Sequence, residues 1–124
     1  MNGPYNYSTN SRYAINEFKP KETDLPKDTV SAIVWDRFNR NETIFFAASW
    51  DGYVRMYCLN NNNSELAKGH EYFLEHPVLC MDINPNGCLF AGLASGDVVG
   101  VNISTGQKTT VATHGAPICG VFWI

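Results

Sequence analysis

The sequence predicts an all-β fold made of repeated four-stranded units. Three observations predict it: short runs of residues that favour β-strands, turn residues between these runs, and an internal sequence repeat at a fixed spacing. From residue 30 onward the apolar runs recur at intervals of about 8–12 residues, as is typical of sandwiches, barrels and propellers. No segment has the hydrophobic period of a convincing helix. With 124 residues, of which 44% are hydrophobic, the chain is expected to form one globular domain.

Residues 1–28 are expected to form a flexible N-terminal arm that precedes the sheets. They are rich in Asn, Tyr, Ser, Lys and Pro, and they show no sustained hydrophobic period. Such a composition predicts an extended segment. Ile15 and Phe18 are isolated apolar residues in this arm, and they are candidates for docking it on the domain.

The strands predicted after the arm are separated by turn sequences. They lie near residues 30–35, 43–49, 53–59, 71–75, 78–83, 88–94, 98–103, 107–112 and 117–123. The residues between the predicted strands include Asp51-Gly52, Asn86-Gly87 and Gly96, and such residues either start a turn or tolerate a positive φ. Each strand is therefore expected to pair with the next along the chain.

A repeat divides these strands into units. Residues 47–59 align without gaps on residues 91–103, an offset of 44 residues, and the turn glycines Gly52 and Gly96 coincide. This offset matches the roughly 40–45-residue period of a four-stranded propeller blade. The repeat therefore favours a β-propeller over a sandwich or a barrel.

A second repeat marks where the blades begin. Thr29, Pro77 and Pro117 each open an apolar run, at spacings of 48 and 40 residues. We therefore predict a partial propeller of about two blades plus the first strand of a third. The predicted bounds are about 29–76 for blade one, about 77–116 for blade two and 117–124 for the start of blade three.

Two blades do not make a closed ring. A blade has two apolar faces, and each must be covered by a neighbouring blade. A seven-bladed ring at this period needs roughly 300 residues. We therefore expect another chain, or further sequence of the same protein, to close the propeller, and we expect bare sheet faces where it does not.

The composition excludes several classes of function. Nine Lys and Arg against twelve Asp and Glu give a net charge of −3, which disfavours direct binding of nucleic acid. The four cysteines form no CxxC pair, so we predict no metal site and no cofactor, with reduced thiols in a cytosolic or nuclear protein. No apolar run is long enough for a membrane span or a signal peptide, so no contact with a membrane is expected.

No catalytic residues are predicted. Ser49, Ser95 and Ser104 lie in turns without a nucleophile-elbow motif, and the carboxylates are dispersed. The glycine-rich residues 87–100 lack the Gly-Lys-Ser/Thr ending of a phosphate-binding loop. The sequence therefore predicts that the protein is not an enzyme.

The repeats resemble WD40 repeats, although residues 57–58 (YC) and 101–102 (VN) replace the name-giving dipeptide. A more specific resemblance is to the WD40 mRNA-export family that docks at nuclear pores. Residues 49–57 (SWDGYVRMY) resemble the SWDG-x-VR-x-W stretch of its first blade. Residues 76–87 (HPVLCMDINPNG) resemble the HxxPVLC…DG stretch of its second blade, and residues 114–124 (HGAPICGVFWI) resemble the opening of its third.

This resemblance implies a function. Members of that family are non-enzymatic interaction modules that bind the hairpin-forming GLEBS peptide of a nucleoporin. The resemblance thus implies a role in mRNA export, in the nucleus at the nuclear pore complex and also in the cytoplasm. Any association with RNA would then be indirect.

Three residues are candidates for binding the partner. Trp50 is the candidate anchor, because a turn can present it at a propeller face and interface hot spots favour Trp. Asp51 and Arg55 are further candidates. Each also has a structural interpretation: Trp50 packs between blades, Asp51 caps the turn, and Arg55 forms an ion pair within its blade.

Three other residues are expected to be structural. In an intact WD40 blade, a histidine in the position of His114 would hydrogen-bond to an aspartate in a following turn and orient that loop. Gly52 and Gly96 are expected to supply the backbone conformation of the two equivalent turns.

Two alternative functions remain open. The spindle-assembly-checkpoint WD40 family shares the SWD, VR-x-Y and THxAPI stretches, which would make the partners GLEBS peptides of checkpoint kinases. Leu79-Cys80 and Trp123-Ile124 favour the export family. Alternatively, the chain is a structural pore component whose open propeller is completed by a blade from another subunit.

Overall fold

A computed structural model of the chain describes residues 24–39, 41–60 and 65–121. Its strands are β1 (Val30–Trp35), β2 (Ile44–Ser49), β3 (Tyr53–Asn60), β4 (Glu65–Phe73), β5 (Val78–Ile83), β6 (Cys88–Leu93), β7 (Asp97–Asn102) and β8 (Lys108–Thr113). They form two four-stranded antiparallel sheets. Sheet 1 has the order β1-β2-β3-β4, and sheet 2 has the order β5-β6-β7-β8. The predicted all-β fold with two blade-like units is therefore confirmed.

The described residues leave out both ends of the chain. Residues 1–23, which make up most of the predicted arm, lie outside the described residues, and so do residues 122–124. Residues 117–121 form no strand, although a strand was predicted near residues 117–123. The described part of the chain offers this segment no neighbouring strand with which to pair. Among the described residues no helix could cross a membrane.

The two sheets reproduce the repeat found in the sequence. β2 and β6 begin 44 residues apart, at Ile44 and Cys88. In sheet 1 the N–H of Gly52 donates to the carbonyl of Ser49 (3.2 Å), and in sheet 2 the N–H of Gly96 donates to the carbonyl of Leu93 (3.0 Å). The repeat therefore holds at the level of individual backbone hydrogen bonds.

The core lies between the two sheets. Alternate side chains on one side of sheet 1 face sheet 2, and we call this side the front face. β5 lies against β1 and β2. Buried residues from both sheets form one cluster: Phe46, Ala48, Val54, Tyr72, Leu74, Val78, Met81, Ile83, Leu89, Ala91, Leu93, Val99 and Val101. Stacking of the sheets thus buries apolar area that neither sheet could bury alone.

Polar contacts fix how the sheets stack. The Ser31 hydroxyl of β1 donates to the carbonyl of Val78 at the start of β5. The Tyr72 hydroxyl of β4 donates to the carbonyl of Ile103 at 2.7 Å, and Arg37 pairs with Asp82 at 3.1 Å. These contacts start from β1, from Arg37 just after β1, and from β4, which are the two edges of sheet 1. They therefore restrain the position of sheet 2 at both edges of sheet 1.

The opposite side of sheet 1, which we call the back face, has no sheet against it. Its side chains come from the alternate positions of the four strands: Ile33, Trp35, Phe45, Ala47, Tyr53, Arg55, Tyr57, Glu71 and Phe73. Ile33 is 57% exposed and Trp35 is 52% exposed. Part of this sheet face is therefore bare among the described residues, as the analysis of blade stacking predicts.

The far side of sheet 2 is partly covered by the segment that follows β8. The N–H of Ile118 donates to the carbonyl of Leu93 at 3.2 Å, and the Cys80 thiol lies 3.5 Å from the carbonyl of Ile118. A β-carbon on Gly92 would lie 2.5 Å from the Ile118 side chain and 2.6 Å from the Cys80 sulfur. Only glycine at this position leaves room for Ile118.

Candidate functional site

One end of the stacked sheets gathers the segments that contain the candidate residues. Backbone hydrogen bonds hold these segments side by side, from Trp50 to Thr29 (3.0 Å) and from Leu74 to Gly52 (2.7 Å). Equivalent bonds run from Ala94 to Pro77 (2.9 Å) and from His114 to Gly96 (2.7 Å). We call this end the turn face, and it comprises residues 24–29, 50–52, 74–77, 94–97 and 114–117.

Trp50 projects from the turn between β2 and β3. Its side chain is 49% exposed, while its N–H is bonded to the carbonyl of Thr29. The next N–H along the chain, that of Asp51, donates to the hydroxyl of the buried Ser49 at 3.3 Å. A large apolar ring is thus offered to solvent from a backbone that is held in place.

Arg55 lies on β3 directly behind this turn and is only 4% exposed. Its Nη2 is 2.8 Å from Oδ2 of Asp51, its Nη1 is 3.3 Å from Oδ1, and its Nε is 3.1 Å from Oε2 of Glu71. The guanidinium also lies 4.8 Å from the centre of the Tyr53 ring. Burial opposes its charge, but the two carboxylates outweigh this effect and raise the pKa of Arg55.

Asp51 connects the turn, the strand and the preceding segment. Besides the guanidinium, it accepts hydrogen bonds from the N–H of Tyr53 (3.0 Å) and the N–H of Lys27 (3.4 Å). Burial opposes ionisation, but the bonds from Arg55 and Tyr53 and the charge of Arg55 lower the pKa of Asp51. The carboxylate is therefore charged at neutral pH, and it holds the turn that carries Trp50.

The three candidate residues thus meet at one turn, but they differ in exposure and in contacts. Trp50 is the accessible one, whereas the polar groups of Asp51 and Arg55 are engaged with each other. Arg55 lies on the back face of sheet 1 and points away from sheet 2. It is nevertheless buried, because carboxylates and Tyr53 surround its guanidinium.

The residues predicted to be structural also lie at the turn face. Gly52 and Gly96 have φ values of 88° and 94°, which side chains disfavour. The backbone N–H of His114 is bonded to Gly96, while its exposed side chain makes no hydrogen bond to an aspartate within the described residues.

A groove between the two sheets opens near this face, and sequence reasoning missed it. Its volume is about 230 Å³, and its lining residues are Phe73, Leu74, Glu75, His76, Leu93, Asp97, Val99, Lys108, Thr109 and Thr110. They come from the linker between the sheets and from strands of both. Nothing in the sequence pattern brings such distant residues together, although the turn residues around Pro77 mark the linker.

The groove is apolar at its base and acidic at its margin. Asp97 accepts a hydrogen bond from the Thr113 hydroxyl at 3.0 Å. Within the described ranges, neither Asp97 nor Glu75 lies in ion-pair distance of a cation. The ammonium of Lys108 is used elsewhere, since it donates to the carbonyl of Phe73 at 2.7 Å. A partner that contributes a donor or a positive charge would therefore suit this margin.

The thiols show no sign of a reactive or metal-binding centre. All four cysteines are free, and among the described residues no group of three His, Cys, Asp or Glu could hold a metal ion. Burial is the main cause that raises the pKa of Cys58 and of Cys80. Raised thiol pKa values disfavour the thiolate that nucleophiles and metal ligands need.

Comparisons with known proteins agree with this fold. Residues 21–58 match the family model described as "WD domain, G-beta repeat". The fold is similar to the crystal structure of Saccharomyces cerevisiae Sqt1, with a TM-score of 0.58 and 20% identity. The similarity covers 74% of this chain but only 22% of that one, so the chain spans about a fifth of its length. No curated protein matches the chain.

Proposed function

We propose that this chain, which carries a WD40 repeat over residues 21–58, binds a peptide of a partner protein at its turn face. It acts as a non-enzymatic protein-interaction module. The observation that carries the proposal is Trp50, which is half-exposed on a turn that Asp51 and Arg55 hold in place. A rigid turn makes a good anchor, because the ring loses little conformational entropy when a partner covers it.

The proposed partner is a nucleoporin, bound through its GLEBS peptide at the nuclear pore complex during mRNA export. The support comes from the resemblance of residues 49–57 to the first blade of the mRNA-export family. In this chain those residues form the end of β2, the turn with Trp50, and the first part of β3. The protein would then reside in the nucleus and the cytoplasm, and would associate with RNA only through partners.

The first test is truncation of the anchor. Removal of a hot-spot tryptophan costs about 1–3 kcal/mol, so we expect Trp50→Ala to weaken peptide binding by about 5- to 150-fold. Titration calorimetry with a synthetic nucleoporin GLEBS peptide would measure the change in Kd. Circular dichroism would check that the variant remains folded.

Trp35→Ala is a matched control for this test. Trp35 has a similar exposure, 52% against 49%, but it lies on the back face of sheet 1. We expect its substitution to leave the Kd unchanged. An equal loss in both variants, or an unchanged Kd for Trp50→Ala, would contradict the assignment of the anchor.

Peptide choice tests the identity of the partner separately. The nucleoporin GLEBS peptide, a checkpoint-kinase GLEBS peptide and a scrambled sequence would be titrated into the same protein. Preference for the nucleoporin peptide supports the proposal, and preference for the kinase peptide assigns the chain to the checkpoint instead. Binding no tighter than that of the scrambled peptide would rule out both partners.

A further inference from the structure

The groove between the two sheets has the size and the boundaries of a pocket for one side chain. One wall is the end of β4 with the linker to β5, and the other wall is formed by the starts of β7 and β8. Sheet 1 and sheet 2 both stand beside it, so it is not a face that a further blade would cover. Its volume of about 230 Å³ exceeds the roughly 150 Å³ that holds a benzene molecule, so one long side chain can enter.

The floor of the groove is apolar and one end is closed. Leu74, Leu93 and Val99 line it, and all three are buried members of the core cluster. The Lys108 ammonium donates to the carbonyl of Phe73 at 2.7 Å, and this contact bridges the two sheets between the groove and the next cavity along the seam. The methylene stem of a long side chain would pack favourably on such a floor.

The rim of the groove presents oxygen atoms from both walls. Glu75 lies in the linker, on the side of sheet 1, and Asp97 is the first residue of β7 in sheet 2. Asp97 and Val99 alternate along β7, so both side chains are on the face that meets sheet 1. Thr110 is paired with Val99 and shares this face. An occupant therefore meets acceptors on two sides.

The charges of the lining favour a cation. Glu75 and Asp97 contribute two negative charges and Lys108 contributes one positive charge, which leaves the lining negative when histidine is counted as neutral. Asp97 is in contact with the hydroxyls of Ser95 and Thr113, at 3.5 and 3.0 Å. Within the part of the chain that the structure describes, neither carboxylate pairs with a cation. A buried or half-buried cation from outside would complete both.

Arginine suits this arrangement better than lysine. Its guanidinium has five N–H donors in one plane, so it can bond to carboxylates on two sides at once, whereas an ammonium acts as a point charge. The guanidinium is also more weakly hydrated, so it loses less when it leaves water. Its three-carbon stem matches a floor that is apolar below a charged rim.

We propose that the groove between the two sheets binds an arginine side chain of a partner protein, with the guanidinium between Glu75 and Asp97 and the stem on Leu93 and Val99. Three observations carry the proposal together: the volume, the apolar floor, and the two carboxylates without a cation. This site is distinct from the Trp50 anchor, so it goes beyond the peptide binding proposed above and does not depend on it.

Two short peptides test the charge without any change to the protein. Acetyl-Gly-Arg-Gly-amide and the same peptide with citrulline, the neutral isostere, would be titrated into the nitrogen-15-labelled full chain and followed by NMR. We expect the arginine peptide to bind about tenfold more tightly, because its hydrogen bonds are charge-assisted. We expect the largest amide shifts at Asp97, Val99 and Thr110. Equal Kd values, or shifts centred elsewhere, would overturn the proposal.

Asp97→Asn tests the rim. The variant removes one negative charge but keeps the oxygen that accepts the Thr113 hydroxyl. We expect the Kd of the arginine peptide to rise by about tenfold. Glu42→Gln is the matched control, because it removes one negative charge from an exposed residue outside the groove, and we expect no change. Equal losses in the two variants would show an effect of overall charge and would overturn the site.

Two further variants identify the occupant and separate this site from the anchor. Trp50→Ala is expected to leave the Kd of the arginine peptide unchanged, whether or not Trp50 binds a nucleoporin peptide. A loss in that variant would place the arginine at the turn with Trp50 and overturn a separate site. Arg12→Gln removes an arginine of this chain. Tighter peptide binding in that variant would make Arg12 the occupant and overturn the assignment to a partner.

Discussion

The buried guanidinium of Arg55 determines how the turn before β3 is held. A charge at 4% exposure is costly unless its partners stay in place. Asp51 satisfies one side of the guanidinium and Glu71 the other, at 2.8 and 3.1 Å. Asp51 also accepts backbone N–H groups, so loss of its charge would disturb both Arg55 and the turn.

Asp51→Asn tests this arrangement, since it keeps the shape and removes the charge. The pKa of Asp51 is lowered below its ordinary value of 3.8 in the folded protein. The stabilisation is therefore present above that value and is lost as the pH falls through the folded pKa. We expect the variant to lose about 2 kcal/mol of unfolding free energy at neutral pH and to show a flatter decline in acid.

Urea unfolding over a range of pH would measure both effects. Glu71→Gln is the matched control, because it alters the other carboxylate on the same guanidinium, whose side chain is 36% exposed. We expect a smaller loss in that variant because solvent screens the pair. Equal losses, or an unchanged acid limb in Asp51→Asn, would contradict the role given to Asp51.

The sequence predicted which residues meet at this turn better than it predicted their environment. Residues 49–52 (SWDG) predicted a turn with Trp50 at its tip. The burial of Arg55 was not predictable, because Glu71 and the residues that cover Arg55 come from other parts of the chain. A period-2 pattern predicts which face of the sheet each side chain occupies, but it does not predict which residues pack against that face.

At the scale of elements, the turns after β2 and β6 depend on a glycine with a positive φ, Gly52 in the first and Gly96 in the second. Gly96 has a φ of 94°, and a β-carbon there would clash with the carbonyl oxygen of His114. That carbonyl belongs to the segment after β8, so the turn also positions the end of sheet 2. Two separate penalties, backbone strain and steric overlap, thus oppose any side chain at this position.

Comparison of Gly96→Ala with Gly87→Ala separates these penalties. Gly87 also has a positive φ, 79°, but a β-carbon there meets nothing within 4 Å. We expect a loss of about 1 kcal/mol for Gly87→Ala, from the backbone alone, and about 3 kcal/mol for Gly96→Ala. Urea unfolding midpoints would measure the two variants, and similar losses would show that the contact with His114 is unimportant.

Strand boundaries show where local sequence is insufficient. The strand predicted near residues 71–75 runs over Glu65–Phe73 instead. Residues such as Lys68 and Gly69 have little intrinsic preference for strands. They are extended because β3 supplies a hydrogen-bonding partner along this length, with an irregularity between Arg55 and Tyr57. Tertiary pairing therefore extended this element beyond what its own residues indicate.

At the scale of the whole molecule, the two sheets depend on each other. The repeat of 44 residues predicted two equivalent units, and the hydrogen bonds at Gly52 and Gly96 confirm it. The groove between the sheets was not predicted, since its residues become neighbours only after stacking. Sequence periodicity thus identified the units, whereas the surfaces between them required the structure.

The Tyr72 hydroxyl tests the coupling between the sheets. Tyr72 is 5% exposed, and its hydroxyl donates to the carbonyl of Ile103, the residue directly after β7 of sheet 2, at 2.7 Å. We expect Tyr72→Phe to lower the unfolding free energy by about 1 kcal/mol, the usual value for one buried hydrogen bond. Tyr53→Phe is the control, because that hydroxyl has no hydrogen-bond partner among the described residues. Equal urea midpoints for the two variants would contradict the coupling.

The missing β-carbon at Gly92 makes the two sides of sheet 2 unequal. The matching position in sheet 1 is Ala48, whose methyl group belongs to the core between the sheets. The Ile118 side chain fills the space that the missing β-carbon leaves, so a further layer on this side of sheet 2 would meet Ile118 before it met the backbone of Gly92. A larger residue at position 92 would push Ile118 outward, and a change at one buried backbone position would thereby reshape the surface on which a further layer could pack.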